Sequence, residues 1–95
     1  MHFTEYVKCD GYWESICHLK EGLGPILKCR AVVKSDGTYD SIVRDYSTDK
    51  MVASKIEMMS YGLASDMAEI LAVRFVISEL DDIMAGRGVK SGNKR

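Results

Sequence analysis

One long apolar segment constrains this chain of 95 residues more than any other feature. Residues 65–85 read SDMAEILAVRFVISELDDIMA, and residues 70–77 would be apolar on almost every side of a helix. Ser65 is a suitable N-cap, and Gly86 follows the last apolar residue as a helix stop. The segment therefore predicts a single long helix, which the rest of the fold or a second copy of the chain must cover.

Within this helix, apolar residues recur at alternating steps of three and four positions. This spacing is typical of a helix that packs against another helix along a narrow seam. We expect the seam to form a homodimer interface or, with Met67, Leu71 and Phe75, to supply most of the buried apolar surface of the chain. The seam consists of Ile70, Val73, Ile77, Leu80 and Met84.

Two β-hairpins are predicted before the helix. Residues 3–9 and 12–19 flank Asp10-Gly11, and residues 26–46 are divided by Asp36-Gly37; both pairs are typical of tight hairpin turns. A two-residue loop in the second hairpin would give it a mainly apolar face. On that face Ala31 would oppose Ile42, Cys29 would oppose Arg44 and Leu27 would oppose Tyr46.

A short helix is predicted between the second hairpin and the long helix. Ser47, Thr48 and Asp49 are all acceptable caps, and apolar residues follow at helical spacing before Tyr61-Gly62 interrupts the pattern. Strands followed by helices indicate an α+β fold. We expect a four-stranded antiparallel sheet of two hairpins, followed by a short and a long helix packed on one face.

The length of the chain is that of one domain. We assign residues 1–86 to a single α+β domain and expect residues 87–95, RGVKSGNKR, to form a flexible basic tail. No apolar run is long enough to span a membrane, and the first residues lack a signal-peptide pattern. Three cysteines without a CxxC pair favour reduced thiols. We therefore expect a cytoplasmic protein without membrane contact.

No group of residues has the spacing of a catalytic or metal site. Cys9, Cys17, Cys29 and the two histidines match no common zinc pattern, which brings pairs of ligands together on a turn. Cys17 and His18 resemble a nucleophile and its base, but neighbours on a strand point to opposite faces. We expect no metal, no cofactor and no enzymatic activity.

Charged residues of the long helix are candidates for partner contacts. Arg74 interrupts the apolar run, and it can either rest its stem on the core and pair with a sheet carboxylate or meet an acidic partner at an interface. Asp81 and Asp82 lie near the carboxyl end of the helix, where the helix dipole disfavours negative charge. Together with Glu79 they form the candidate partner-binding set.

The composition favours a protein-binding role. A net charge of -1 does not suit a nonspecific polyanion binder, and the apolar helix exceeds what a small core requires. We expect a small non-enzymatic protein-interaction module. Its expected role is that of a regulator or inhibitor, of the kind that phages and mobile elements encode, acting by covering a surface of another protein.

Two alternatives remain open. The chain could be a structural subunit that self-associates through the helix seam. It could also bind nucleic acid by stacking bases on sheet aromatics and holding phosphates with basic residues. The residues of that second alternative are Trp13, Lys28, Arg30, Lys34, Arg87, Lys90, Lys94 and Arg95.

Overall fold

The computed structural model describes residues 1–86, which form six strands followed by one helix. The elements are β1 (His2–Phe3), β2 (Val7–Lys8), β3 (Tyr12–His18), β4 (Pro25–Val33), β5 (Tyr39–Asp45), β6 (Met51–Met58) and α1 (Tyr61–Met84). All strand pairs are antiparallel in the order β1-β3-β4-β5-β6, and β2 also pairs with β3. The sheet is therefore five strands wide. The α+β class and the antiparallel sheet are confirmed, and the predicted tail lies outside the described residues.

The first hairpin has the predicted two-residue turn. Val7 lies opposite Glu14, and the Cys9 amide donates a hydrogen bond of 2.7 Å to the Tyr12 carbonyl. Gly11 adopts a φ of 90°, which favours glycine. The Asp-Gly pair thus located this turn and the register of β2. The predicted continuous strand over residues 3–9 is wrong, because it is divided into β1 and β2, and Phe3 pairs with Cys17, one residue out of the register of β2.

The predicted register of the second hairpin was wrong by one residue. Val33 pairs with Tyr39, and the Lys34 amide donates to the Thr38 carbonyl, so the loop has three residues and not two. Gly37, with a φ of 87°, occupies the left-handed position that closes such a loop. A slip of one residue moves every side chain of β5 to the other face. Consequently Val43, and not Arg44, lies opposite Cys29.

The predicted short helix is wrong, because this part of the chain forms strand β6. The Asp45 carboxylate accepts hydrogen bonds from the Ser47 and Thr48 amides, and Asp49 adopts a φ of 62°. These polar residues therefore build the turn of a third hairpin and do not cap a helix. Strand β6 pairs with β5 through two register shifts, which accommodate its imperfect alternation.

Helix α1 begins about one turn earlier than predicted. Ser60, and not Ser65, is the N-cap, and its hydroxyl accepts a hydrogen bond of 3.2 Å from the Leu63 amide. Gly62, which was predicted to interrupt the helical pattern, lies inside the first turn of α1. Of the two predicted helices, only the long one forms, and it has 24 residues.

The side of α1 that faces the sheet is made mainly of small residues. They are Ala64, Ser65, Ala68, Ala72 and Val76. The prediction that the seam supplies the core is wrong for Ile70, Ile77, Leu80 and Met84, which are exposed. Small side chains let the helix approach the sheet closely, so the bulky residues of α1 lie on its other sides.

The sheet meets this stripe with compact side chains of its own. Leu27 and Cys29 of β4, Val43 of β5 and Cys17 of β3 are buried in the same cluster as the helix alanines. The buried Ser41 hydroxyl donates a hydrogen bond of 2.7 Å to the Ala64 carbonyl, which ties β5 to the first turns of the helix. The core is thus thin and closely packed.

Replacement of Gly37 by alanine should destabilise the fold through backbone strain alone. A Cβ at Gly37 or at Gly24 would meet no atom within 4 Å, but only Gly37 has a positive φ. We expect Gly37→Ala to lower the free energy of unfolding in urea by about 1 kcal/mol or more. Gly24→Ala is the matched control and should leave it nearly unchanged; equal losses in both variants would contradict the turn assignment.

Enlargement of the alanine stripe should disrupt packing of the helix on the sheet. Ala68 is fully buried, whereas Ser78 lies on an exposed side of the same helix. We expect Ala68→Leu to lower the free energy of unfolding by roughly 1–3 kcal/mol, because the added side chain has no space. Ser78→Leu introduces the same residue and should change stability by less than about 0.5 kcal/mol. Urea titrations of both variants test this expectation.

Candidate functional site

An apolar ridge runs along the outward side of α1. We call it the outer ridge, and it consists of Leu63, Ile70, Val73, Ile77, Leu80 and Met84. Val73 is half-buried, and the exposed fractions of the other five range from 43% for Ile70 to 84% for Met84. Isolated exposed apolar residues are common, but a continuous apolar strip marks a contact surface. The outer ridge contains all the seam residues predicted from the sequence.

A groove of about 530 Å³ opens beside the outer ridge. Ile70, Val73 and Phe3 line its apolar part. Helix α1 packs on β4, β5 and β6, and Phe3 of the edge strand β1 forms the sheet side of the groove. The groove provides a concave surface directly adjoining the convex ridge, so together they form one shaped, largely apolar surface.

Charged side chains frame this groove. Asp66 and Glu69 place two carboxylates along it, and Arg74 places a guanidinium on the same wall. Ile70 and Ser78, four positions before and after Arg74, are uncharged, so Arg74 cannot form an ion pair with either of these helix neighbours. Among the ion pairs of residues 1–86, none involves Arg74. Opposite charges therefore lie on this surface beside apolar side chains.

The side chain of Tyr6 packs against the first turns of α1. Its hydroxyl donates a hydrogen bond of 3.0 Å to the Ser65 carbonyl, and its ring packs against Tyr61 with centroids 6.0 Å apart. Burial raises the pKa of Tyr6, and the nearby Glu69 carboxylate raises it further. The hydroxyl thus stays protonated and keeps the N-terminal segment attached to the helix.

The predicted partner-binding residues do not share one surface. Arg74 and Asp81 are exposed on the outward side of α1, close to Ile77. Glu79 instead lines a smaller cavity of about 190 Å³ where the helix meets β4 and β5. Asp82 is half-buried. The structure therefore brings only Arg74 and Asp81 next to the outer ridge.

The open face of the sheet, opposite the helix, carries a network of ion pairs. Arg30 lies 2.7 Å from Glu14 and 3.9 Å from Asp49, and Lys28 lies 3.0 Å from Asp49. Lys34 is 3.6 Å from Asp40 on the same face. The hydrogen bond to Lys28 holds the pKa of Asp49 below its usual range. Each of these cations thus has a carboxylate neighbour, which weakens the positive field available to an anionic ligand.

The residues proposed for nucleic-acid binding are divided between two faces. Trp13 pairs with the buried Ala31 on the side of the helix, and its ring contacts Tyr61 with centroids 5.1 Å apart. Lys28 and Arg30 lie on the open face, whereas the basic residues of the tail lie outside the described part of the chain. The aromatic ring and these two cations therefore do not form one stacking platform.

The cysteines and histidines do not assemble into a reactive group. Cys17 is buried under the helix, and the His18 ring instead bonds to the Leu23 carbonyl at 2.6 Å. Burial raises the pKa of the Cys17 thiol to about 11 and that of Cys29 to about 12. Within residues 1–86, no set of three or more His, Cys, Asp or Glu side chains is arranged to hold a metal ion.

Comparisons with models of known protein families, with curated proteins and with solved structures gave no match. In the described part of the chain, α1 lacks the sustained apolarity that a membrane-spanning helix requires.

The buried thiols should make the protein less stable at high pH. An unfolded thiol loses its proton at about pH 8.5, whereas the folded Cys17 and Cys29 keep theirs to about pH 11 and 12. The stabilisation that these two protonated thiols give the folded state is complete below about pH 8.5. It falls as the pH rises from there towards the folded pKa values, because over this range only the unfolded state releases protons. We expect a loss on the order of a few kcal/mol in urea titrations between pH 8 and about pH 11.

The effect can be separated from other titrations with two variants. Cys17→Ala should show a shallower decline of stability with pH than the wild type. Ser78→Ala, an exposed substitution that removes no thiol, should retain the wild-type slope. Identical slopes for the wild type and Cys17→Ala would contradict the assignment.

Proposed function

We propose that the chain is a protein-interaction module that acts without catalysing a reaction and docks through the outward side of α1. The observation that carries this proposal is the outer ridge together with its groove. Six bulky side chains from Leu63 to Met84, five of them on the outer ridge, remain at least 43% exposed on one helix. Removing such side chains from water is worth roughly 25 cal/mol for each Å² buried.

The flanking charges support a protein partner of defined shape. Arg74, Asp66 and Glu69 lie among the apolar residues of the surface, as polar groups do around the apolar centre of a protein interface. Such charges select a complementary partner more than they add affinity. Within this proposal the chain acts as a regulator or inhibitor by covering a surface of the protein that it binds.

The ion pairs of the open sheet face favour this proposal over nucleic-acid binding. Lys28, Arg30 and Lys34 each have a carboxylate within 4 Å, so phosphate binding would compete with an existing ion pair. Binding to nucleic acid would also depend steeply on salt concentration. Docking through the outer ridge needs no steep dependence on salt concentration, since burial of apolar side chains supplies most of its binding energy.

A photo-cross-linking experiment tests the proposed surface. A photoreactive residue at Ile77, which is 53% exposed, should form protein adducts in extracts of the cells that encode the chain. The matched control is the same probe at Ile56 on β6, which is 59% exposed but distant in sequence from the ridge. We expect adducts from position 77 and few from position 56, with the adduct mass measured by intact mass spectrometry.

The reverse pattern would move the docking surface to the edge strand β6 and contradict the proposal. Absence of protein adducts at position 77 would contradict it as well. Adducts with nucleic acid that disappear after nuclease treatment would favour the alternative role.

A further inference from the structure

We propose that His2 and His18 together bind a late first-row divalent transition-metal ion across strands β1 and β3. They are the only two histidines of the chain, and strand pairing places them directly opposite each other. Their neighbours Phe3 and Cys17 face α1, so the two histidines lie on the open face of the sheet. The site was not predictable from spacing in the sequence, because only the register of β1 on β3 brings the two rings together.

The separation of the two rings fits a shared ion. Their centroids are 5.8 Å apart. A bond from Zn²⁺ to an imidazole nitrogen is about 2.1 Å long, and the centre of the ring lies about 1.2 Å beyond that nitrogen. Two rings on one ion therefore have centroids about 5.4 Å apart at a tetrahedral ion and about 6.6 Å apart on opposite sides of it. The observed separation lies in this range, so rotation of the His2 ring suffices and neither strand has to shift.

A hydrogen bond prepares His18 as a ligand. Its Nδ1 lies 2.6 Å from the Leu23 carbonyl, which can only accept. Nδ1 therefore carries the proton, and in the neutral ring Nε2 holds the lone pair that binds a metal. Histidines that bind metals almost always donate their other ring nitrogen in this way. The Leu23 amide donates in turn to the Lys20 carbonyl at 3.1 Å, which holds the loop in place beneath the ring.

The chemistry of the ligands selects the ion. Imidazole nitrogen suits Zn²⁺, Cu²⁺ and Ni²⁺, whereas Mg²⁺ and Ca²⁺ prefer oxygen ligands. Residues 1–86 contain no arrangement of three or more metal-binding side chains, so water completes the coordination of an ion held by this pair. The site should therefore bind Cu²⁺ more tightly than Zn²⁺, in the usual order for nitrogen ligands, and should not bind Mg²⁺.

A bound ion ties the edge strand β1 to β3. Strand β1 has only two residues, and its separation from β3 would part the two histidines. The ion binds the paired strands and not the separated ones, so it stabilises the pairing by mass action. Phe3 follows His2 directly and forms the sheet side of the groove beside α1. Metal binding on the open face thus holds one wall of the groove on the other face.

Calorimetric titration with Zn²⁺ tests the site in the full chain, produced without a polyhistidine tag. We expect one ion for each chain and no heat of binding with Mg²⁺. His18→Asn retains an N–H donor for the Leu23 carbonyl but removes Nε2, and His2→Phe retains a ring beside His18 but removes its nitrogens. Each variant should raise the dissociation constant for Zn²⁺ by about tenfold or more. Circular dichroism checks that both remain folded.

A relocated histidine provides the matched control. The double variant His18→Asn with Lys20→His keeps two histidines but moves one to an exposed position in the loop. It should bind Zn²⁺ as weakly as His18→Asn alone. Recovery of wild-type affinity in this double variant would overturn the inference, because the number of histidines and not their pairing would then decide binding. Wild-type affinity in His18→Asn would overturn it too.

Two measurements on the unaltered chain complete the test. Imidazole ¹⁵N spectra should show that Zn²⁺ shifts the Nε2 resonance of His18 together with a ring resonance of His2, while His18 Nδ1 keeps its proton. The Thr4 amide donates to the Ile16 carbonyl at 3.0 Å beside the site. Its hydrogen exchange should slow about tenfold at a Zn²⁺ concentration ten times the dissociation constant.

Three results on the unaltered chain would each overturn the inference. They are the absence of Zn²⁺ binding at millimolar concentration, a shift confined to one histidine, and an exchange rate at Thr4 that Zn²⁺ leaves unchanged.

Discussion

Close packing of small side chains between α1 and the sheet is the constraint on which the rest of the structure depends. Ala64, Ala68 and Ala72 are fully buried against β4 and β5, where Cys29 and Val43 are also fully buried. A helix held this near to a sheet has no space beneath it for isoleucine or leucine. Leu71 and Phe75 pack against the buried cluster beside this stripe, and the bulky residues of the outer ridge lie on the outward side. The outer ridge is in this sense a geometric result of the alanine stripe.

The fold class could be predicted from the sequence because its signals are local. The Asp10-Gly11 turn and the long apolar helix were both located by neighbouring residues alone. Two other elements could not be resolved in this way. Asp36-Gly37 suits loops of two or three residues, and Ser47, Thr48 and Asp49 suit a helix cap or a turn. Pairing with β5 makes residues 51–58 a strand and not a helix, and that pairing depends on residues distant in sequence.

The candidate site was partly visible in the sequence. Steps of three and four positions identified the seam residues, but the same pattern is typical of a helix that faces its own core. Periodicity could not distinguish these cases, because the buried stripe is made of alanines with little hydrophobic signal. The groove was not predictable, since it joins Phe3 to Val73 across most of the chain. The ion pairs of the open face required the strand register, which was wrong by one residue.

In helix α1, the side chains that pack on the sheet and the side chains of the outer ridge form separate sets. The alanines that pack on the sheet lie on one side of the helix, and the residues of the outer ridge lie on the other. Few residues therefore belong to both sets. If the proposed function holds, substitutions at outward positions change recognition with little effect on folding. A helix divided in this way can have its exposed side rewritten by a handful of surface replacements while the buried stripe continues to hold it on the sheet.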